Sequence, residues 1–260
     1  MDERRNIYAG VLSGNVLKIA ACVSMFIDHL GMILFPGVTF LRIVGRIAMP
    51  LFAFTFAEGC FYTRRKWRHF FLIFGLGILT SAAQSFLYRE VQGNILITFS
   101  LSCLLIYSLD AFKRGIFARR VFGASAGGLA LVASLAAAVF LCCFSGISVD
   151  YGIGGVLLPL TVHLFDFRPF GARGFLSSLY SPVTVFALFF LGQIALAVAL
   201  GGIQIFSVFS MLLIVLYSGE RGKRNIKYLF YIFYPAHLLF LWGIYFLFLS
   251  LSEASIFSIF

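Results

Sequence analysis

The chain is a succession of apolar runs, most of them about 20 residues long, separated by short polar connections rich in arginine and lysine. A run of that length can cross a bilayer as one helix, and backbone groups in hydrocarbon must pair within their own segment. Only 12% of the 260 residues are charged, against roughly 25% in soluble domains. The pattern predicts an all-α, polytopic transmembrane helical bundle and excludes an ordinary cytosolic protein.

About nine spans are predicted, within a range of eight to ten, and they form a single integral membrane domain over residues 1–260. No linker, low-complexity segment or internal repeat interrupts them. The first apolar run leads directly into a full-length span, so no cleavable signal peptide is expected. The two weakest spans are short, 151–166 and 203–217, and the full set lies near residues 16–36, 38–62, 70–88, 95–111, 121–144, 151–166, 180–200, 203–217 and 228–250.

The net charge of +10 comes mainly from basic clusters that are confined to the connections. This is the positive-inside distribution, and with nine crossings it places the N-terminus and every cluster in the cytoplasm, in a multi-pass protein of the plasma membrane. Charge distributed in this way forms no continuous phosphate-binding face, so the lipid bilayer and not nucleic acid is the expected partner. The clusters are Arg4 and Arg5; Arg64, Arg65, Lys66 and Arg68; Lys113, Arg114, Arg119 and Arg120; Arg168 and Arg173; Arg221, Lys223, Arg224 and Lys227.

The cysteines give no sign of a metal site or of disulfides. All five lie within apolar runs, and an odd number in hydrocarbon is no disulfide framework. No pair stands at metal-ligand spacing with histidines, so they are interpreted as small apolar packing residues and no metal is predicted. They are Cys22, Cys60, Cys103, Cys142 and Cys143.

Four charged residues of the first two spans, Asp28, Arg42, Arg46 and Glu58, need a partner or a wet cavity. A charge near the bilayer centre costs about 2.5–3.5 kcal/mol on insertion scales. Arg42 and Arg46 are four residues apart and share a helix face, with Asp28 as the nearby acid. Two uses remain open: Asp28 pairs with the arginines structurally, or their guanidinium groups face an anion such as a phosphate or pyrophosphate.

His29 follows Asp28, and on a helix the two side chains project about 100° apart. Asp28 can therefore engage an arginine while His29 faces a cavity. His29 is suited to take a proton near neutral pH, although a satisfied core histidine is the plainer alternative. Lys18, His69 and His163 lie near the cytoplasmic ends of their spans and can reach the membrane surface, so no function is assigned to them.

Later spans carry further polar residues at helix starts and at mid-depth. Asn94 begins the fourth span and can cap it, which is at least as expected as a catalytic role. Pro50 should bend the second helix by freeing a backbone carbonyl. In the last span, Tyr234 and His237 are three apart and share a face near mid-depth.

Five stretches of the chain resemble the TraX family and occur in that family's order over roughly residues 16–250: LKIAACVSMFIDHLGMILFP, LRIVGRIAMPLFAFTFAEGCFYTRR, GNILITFSLSCLLIYSLD, DYGIGGVLLPL and KYLFYIFYPAHLLFL. The founding member of that family acetylates the N-terminal amine of conjugative pilin. The family is similar to larger transmembrane acyltransferases, which move acetyl groups from cytoplasmic acetyl-CoA to surface sugars with a first-helix histidine and an R-x-x-x-R pair.

The resemblance implies an acyltransferase that uses acetyl-CoA and an extracytoplasmic acceptor, either a protein N-terminus or a glycan. The matching catalytic residues are His29, Arg42 and Arg46, with Asp28 orienting His29 or anchoring the arginines. Donor-binding residues are expected to be Arg42, Arg46, Glu58, Asn94, Thr98, Tyr234 and His237. Two alternatives from other classes are a proton-coupled transporter, which often shows internal repeats, and a non-enzymatic membrane subunit whose buried charges pair only with one another.

Overall fold

The computed structural model describes residues 6–223 and 227–257. Three members of the basic clusters, Arg4, Arg5 and Arg224, lie outside these residues. The described chain is almost wholly helical, which confirms the all-α prediction. Its α-helices are α1 Gly14–Ile33, α2 Thr39–Gly45, α3 Ala48–Tyr62, α4 Lys66–Tyr88, α5 Ile95–Phe117, α6 Val121–Cys143, α7 Gly152–Leu157, α8 Leu160–His163, α9 Phe175–Ser178, α10 Pro182–Leu200, α11 Met211–Ile214 and α12 Lys227–Phe257.

Seven helical segments within the described residues are long and apolar enough to cross a membrane. Their outward faces carry large exposed apolar side chains, such as Phe71 on α4 and Phe122 and Leu129 on α6. A soluble monomer rarely exposes so much contiguous apolar surface, whereas lipid tails cover it without cost. The segments are Gly14–Ile33, Thr39–Tyr62, Lys66–Leu87, Ile95–Phe117, Val121–Cys143, Pro182–Leu200 and Phe230–Leu251.

The expectation of nine full-length spans needs correction at the two shortest ones. The predicted span 151–166 is split into α7 and α8, because Pro159 between them has no N–H to continue the helix. The predicted span 203–217 begins as a 3-10 helix, Gly202–Ser210, and only the four residues that follow it, Met211–Ile214 (α11), are α-helical. A 3-10 helix rises about 2.0 Å per residue, so a short segment of this kind still covers much of the bilayer's depth.

Both broken segments nevertheless run from one end of the bundle to the other. We call the end that holds Tyr62 and Lys66 the basic end. The chain leading into α7 lies at the opposite end, where Gln92–Gly93 pairs in parallel with Ser148–Val149. The end of α8 lies at the basic end, because the Lys113 ammonium near the end of α5 donates to the carbonyl of His163. The 3-10 helix likewise starts beside Arg46, which contacts Gln204. The segment then ends near the basic end, where the Tyr217 hydroxyl donates to Glu58. Each of these two segments therefore joins opposite ends of the bundle, although neither is one continuous α-helix.

The second predicted span is interrupted between α2 and α3. Pro50 has no N–H to donate to the carbonyl oxygen of Arg46, and α2 ends at Gly45 with α3 starting at Ala48. The predicted bend therefore falls one turn before the proline itself. Arg46 therefore lies in the break, as the C-cap residue of α2.

Close contact between α1 and α2 positions the charged residues. The Ser24 hydroxyl donates to the carbonyls of Val44 (2.8 Å) and Gly45 (3.1 Å). A Cβ at Gly45 would collide with the Asp28 side chain, so glycine is what allows α2 to approach α1. Beneath this contact, the main apolar core packs α1, α3 and α10 around fully buried Phe54 and Phe189, whose rings meet edge to face at 5.5 Å.

Candidate functional site

Asp28 lies between the two arginines of the R-x-x-x-R pair. Its Oδ1 accepts from Nη2 of Arg46, and its Oδ2 lies 3.3 Å from Nη1 of Arg42. Arg46 Nη1 also donates to Oε1 of Gln204 (3.4 Å), and its Nε donates to the carbonyl of Arg42 (3.2 Å). Asp28 thus pairs with both arginines, and one positive charge remains unbalanced within this group of three.

His29 points away from the arginines, toward α12. Its Nδ1 lies 2.9 Å from the carbonyl oxygen of Met25 and 3.2 Å from Nε2 of His237. Nδ1 of His237 lies 2.8 Å from the carbonyl oxygen of Phe233, on whose ring the imidazole also stacks. Neighbouring residues of α1 therefore serve two different contacts, Asp28 with α2 and His29 with α12, as the angle of about 100° between them requires.

These carbonyl contacts fix the tautomers of the two histidines. A carbonyl oxygen only accepts, so both Nδ1 atoms must carry the hydrogen. Nε2 of His237 then holds a lone pair and accepts part of the His29 Nδ1–H bond. Nε2 of His29 also holds a lone pair, and it has no hydrogen-bond partner among the described residues. The pair therefore has one basic nitrogen, Nε2 of His29, and the contact with His237 helps to set the orientation of the His29 ring.

A cavity of about 1000 Å³ extends from the basic end into the bundle. At the basic end it is lined by cationic side chains: Lys18, Arg64, Arg65, Arg68 and Arg221. Its interior is mainly aromatic and aliphatic and includes Phe52, Phe56, Phe99, Tyr231 and Tyr234. Along α1 its lining runs from Gly14 to Met25, which is about 16 Å of helix.

The interior lining of this cavity approaches the histidine pair. The carbonyl of Met25 contacts His29, and the ring of Tyr234 lies 5.7 Å from that of His237. Arg42 and Arg46 do not line the cavity. The cations at its mouth are therefore different residues from the pair that the sequence singled out for anion binding.

Glu58 and Tyr234 line the cavity, whereas Asn94 and Thr98 do not. Asn94 caps α5 by accepting from the amides of Leu96 and Ile97, and its Nδ2 donates to the carbonyl of Gly77. The fully buried Thr98 hydroxyl donates to the carbonyl of Asp150 (2.7 Å). The structure thus places these two side chains in helix packing, with Oδ1 of Asn94 forming the predicted cap of α5 and its Nδ2 joining α5 to α4.

Glu58 connects the cavity to a second polar group at the basic end. It accepts from the Tyr217 hydroxyl (3.0 Å), and its Oε1 lies 2.8 Å from Nε2 of His163, an ion-pair contact without hydrogen-bond alignment. The His163 ring stacks on Phe61 at 4.2 Å, and the Tyr180 hydroxyl contacts its Nδ1 at 3.0 Å. His163 is therefore buried in a network rather than placed at the membrane surface.

Asp166 and Arg168 close this network in the connection that follows α8. The guanidinium of Arg168 grips both carboxylate oxygens of Asp166, at 2.9 and 3.1 Å, and stacks over the ring of Tyr180. Burial by itself raises the pKa of Asp166, but the nearby His163 (3.9 Å) and the hydrogen bonds from Arg168 outweigh it and lower the pKa to about 2. The carboxylate stays ionised under all ordinary conditions.

Comparison with known proteins connects this arrangement to one family. The sequence profile described as TraX protein matches residues 13–245, which include the arginine pair, both histidines and every residue that lines the cavity. The chain belongs to the TraX family.

One relative of this TraX-family chain is an uncharacterized protein, RP591, of Rickettsia prowazekii (strain Madrid E). The two sequences are 39% identical over 94 residues, a segment that covers 36% of each chain. The chain therefore matches about a third of the length of this curated relative. No solved structure matches the chain.

The arrangement of this TraX-family protein includes residues that the sequence did not single out. The sequence predicts the four arginines at the cavity mouth only as topology signals and Lys18 only as a residue that reaches the membrane surface. Their shared position around an opening is a property of the folded chain. Gln204, which contacts Arg46, lies in the segment predicted only as a short span. The sequence indicates His29 and His237 separately, as histidines within apolar spans beside charged or aromatic residues. It does not predict that the two contact each other.

Proposed function

We propose that this protein is a membrane acyltransferase that takes an acetyl group from acetyl-CoA at the basic end and passes it to an amine or hydroxyl at the opposite end. The observation that carries the proposal is the cavity of about 1000 Å³, whose lining runs from clustered cations to Met25 and Tyr234, the residues that contact His29 and His237. TraX family membership and the match of His29, Arg42 and Arg46 to the acyltransferase pattern support the same reaction.

Donor binding follows from the two kinds of lining in the cavity. CoA carries phosphate groups on its nucleotide and a long, mostly uncharged pantetheine arm that ends in the thioester. Arg64, Arg65 and Arg68 at the mouth suit the phosphates, because guanidinium groups bind phosphate oxygens in pairs. The apolar interior suits the arm and directs the thioester toward Met25 and Tyr234, next to the two histidines.

His29 acts as the general base in this proposal. Its Nε2 lone pair takes the proton from the acceptor N–H or O–H as the acceptor's nitrogen or oxygen attacks the thioester carbonyl carbon. The C–S bond then breaks, and the departing CoA thiolate takes the proton back from His29. His237 assists because its Nε2 accepts the Nδ1–H of His29, a contact that strengthens while His29 carries positive charge.

The arginine pair supplies the positive charge that the reaction needs at the carbonyl oxygen. Attack on the thioester converts that oxygen to an oxyanion, which preorganised donors stabilise. Asp28 neutralises one of the two guanidinium charges and leaves the other. Arg42 is the more accessible of the two, with 26% of its side chain exposed against 13% for Arg46, so it is the better placed to reach the substrate.

The proposal is tested with full-length protein in lipid nanodiscs. We expect purified protein to bind acetyl-CoA by calorimetry and to release free CoA thiol when a peptide with a free N-terminus or a glycan acceptor is added. Phosphate-free pantetheine thioester should bind more weakly, because it lacks the groups that the mouth recognises. Transport of a labelled solute into proteoliposomes without any acetyl-CoA binding would instead support the transporter alternative and overturn this one.

A further inference from the structure

Two cysteines and a histidine meet near the basic end, outside the arginine and histidine site. Cys60 lies in the last turn of α3, His69 in the first turn of α4, and Cys103 in the middle of α5. One ligand atom from each lies within 4.8 Å of the other two. The exposed fractions are 0% for Cys60, 7% for His69 and 0% for Cys103, so bulk water does not occupy the space between them.

The donor set is selective for one class of ion. Thiolate sulfur and imidazole nitrogen are the ligands of Zn²⁺ and of soft transition metals, whereas Mg²⁺ and Ca²⁺ require oxygen. Two thiolates also neutralise the double charge of Zn²⁺, which matters in an apolar interior where a net charge is costly. Cu⁺ with the same ligands would leave a net negative charge, so the charge balance favours Zn²⁺.

The surroundings of the cluster hold His69 in place. The Tyr107 hydroxyl lies 2.8 Å from Nδ1 of His69, which leaves Nε2 as the nitrogen that can coordinate. Lys66 lies over the Tyr107 ring (4.8 Å) and pairs with Asp110 (2.8 Å), and Phe56 stacks on the His69 ring. A partner on the second nitrogen of a metal-bound histidine is the usual arrangement around protein metal sites.

The cluster has a path for an ion and an open coordination position. His69 and Phe56 both line the large cavity, so an ion can reach the imidazole from the basic end. Three protein ligands leave one position of a tetrahedron for water or for the nearby Tyr107 oxygen. The spacing of 43 residues between the two cysteines is far from the short repeats that mark zinc sites in sequences, which explains why the pattern gave no signal.

We propose that Cys60, His69 and Cys103 bind one Zn²⁺ ion that joins α3, α4 and α5 at the basic end. This inference does not rest on the proposed acyl transfer. The ion ties together three of the helices that line the cavity, so we expect its main effect on stability.

Metal content of the full-length protein in detergent gives the first test. Protein expressed with zinc should carry about one equivalent per chain, and so should Cys22→Ala, a matched control that removes a buried cysteine outside the cluster. The double variant Cys60→Ala/Cys103→Ala should lose the zinc. Equal zinc in the control and the double variant would show adventitious binding and overturn the proposal, as would wild-type protein that stays metal-free after reduction and zinc addition.

Cobalt substitution in the wild-type protein keeps the test decisive if the double variant fails to fold. Co²⁺ added after chelation should give the visible absorption of a tetrahedral site and the near-ultraviolet band of thiolate ligation. Tyr107→Phe should weaken metal affinity about 10–100-fold without abolishing the spectrum, because it removes only the partner of His69. A six-coordinate cobalt spectrum without a thiolate band would rule out the assigned ligands.

Discussion

His29 and His237 meet across the bundle although 208 residues separate them, with Nδ1 of the first 3.2 Å from Nε2 of the second. Because both Nδ1 atoms face backbone carbonyls, the two rings are held as one ordered pair with a single free basic nitrogen. Two membrane helices that are distant in sequence thus share one proton-accepting unit. The two histidines differ in role: His29 carries the basic Nε2, and His237 accepts the hydrogen bond from Nδ1 of His29.

The first prediction separates those roles. His29→Ala should lower acyl transfer about 10²–10⁴-fold, which is the usual contribution of positioned proton transfer, while His237→Ala should lower it less because the base itself remains. Rates are compared at matched expression and thermal stability. A variant series in which His29→Ala keeps near-native transfer and His237→Ala is inactive would move the base to α12.

The second prediction concerns the charge balance around Asp28. Asp28→Asn leaves two guanidinium groups without their counter-charge and should lower the free energy of unfolding by about 3–5 kcal/mol. Asp110→Asn is the matched control, since its pair with Lys66 is more exposed, and it should cost about 0–1 kcal/mol. Thermal unfolding in detergent measures both. Equal melting temperatures for the two variants would contradict the buried pairing.

The cavity mouth gives a third prediction. Replacing Arg64, Arg65 and Arg68 together by Gln should raise the KM for acetyl-CoA and leave kcat nearly unchanged, because in the proposed complex these residues contact only the phosphates, far from the thioester. The increase should be smaller for a donor without the 3′-phosphate. Arg114→Gln/Arg119→Gln removes two basic residues that do not line the cavity and should leave KM as it was. A fall in kcat alone would argue against phosphate recognition at the mouth.

The pH dependence of stability tests the Asp166–Arg168 pair. The pKa of Asp166 is lowered to about 2 in the folded chain, so the pair's contribution is complete above the unfolded pKa near 4 and is lost as the pH falls through about 2. The difference in melting temperature between wild type and Asp166→Asn should therefore be constant above pH 5 and shrink between pH 4 and 2. A difference that persists unchanged at pH 2 would show that the charge of Asp166 is not what stabilises the connection.

A fifth prediction concerns topology. Reporter fusions after residues 118 and 173 should report the cytoplasm, and a fusion after residue 148 the outside. Lys113 contacts the carbonyls of His163 and Asp166, so the ends of α5 and α8 lie at the same end of the bundle. The same compartment for residues 118 and 148 would reject the proposed orientation.

Much of the fold could be predicted because hydropathy and loop charge depend on residues that are close together in the sequence. Each helix depends on its own apolar residues, and the pairing of Asp28 with Arg42 and Arg46 depends on residues within one hairpin. The breaks at Pro159 and at Gly201–Gly202 had a local signal as well, since proline lacks a donor and both glycines adopt positive φ. Hydropathy alone does not register either effect.

The contacts between distant spans could not be predicted in the same way. His237 reaches His29, and Cys103 reaches Cys60, because α12 packs beside α1 and α5 beside α3. Apolar spans carry little information about which neighbour they choose, since lipid and another helix are nearly equivalent surroundings for a leucine. Long-range polar pairs therefore emerge only from the assembled bundle.

The position of His237 on α12 has a consequence for biosynthesis. Apart from Tyr231 and Tyr234 on the same helix, the site side chains named above precede α12, so they leave the ribosome and enter the membrane earlier. The arginine cluster and the cavity walls from α1 to α5 can assemble while the histidine pair is still incomplete. A nascent chain released before α12 inserts would be embedded in the bilayer yet inert, so the order of synthesis itself delays the proposed chemistry until the bundle is whole.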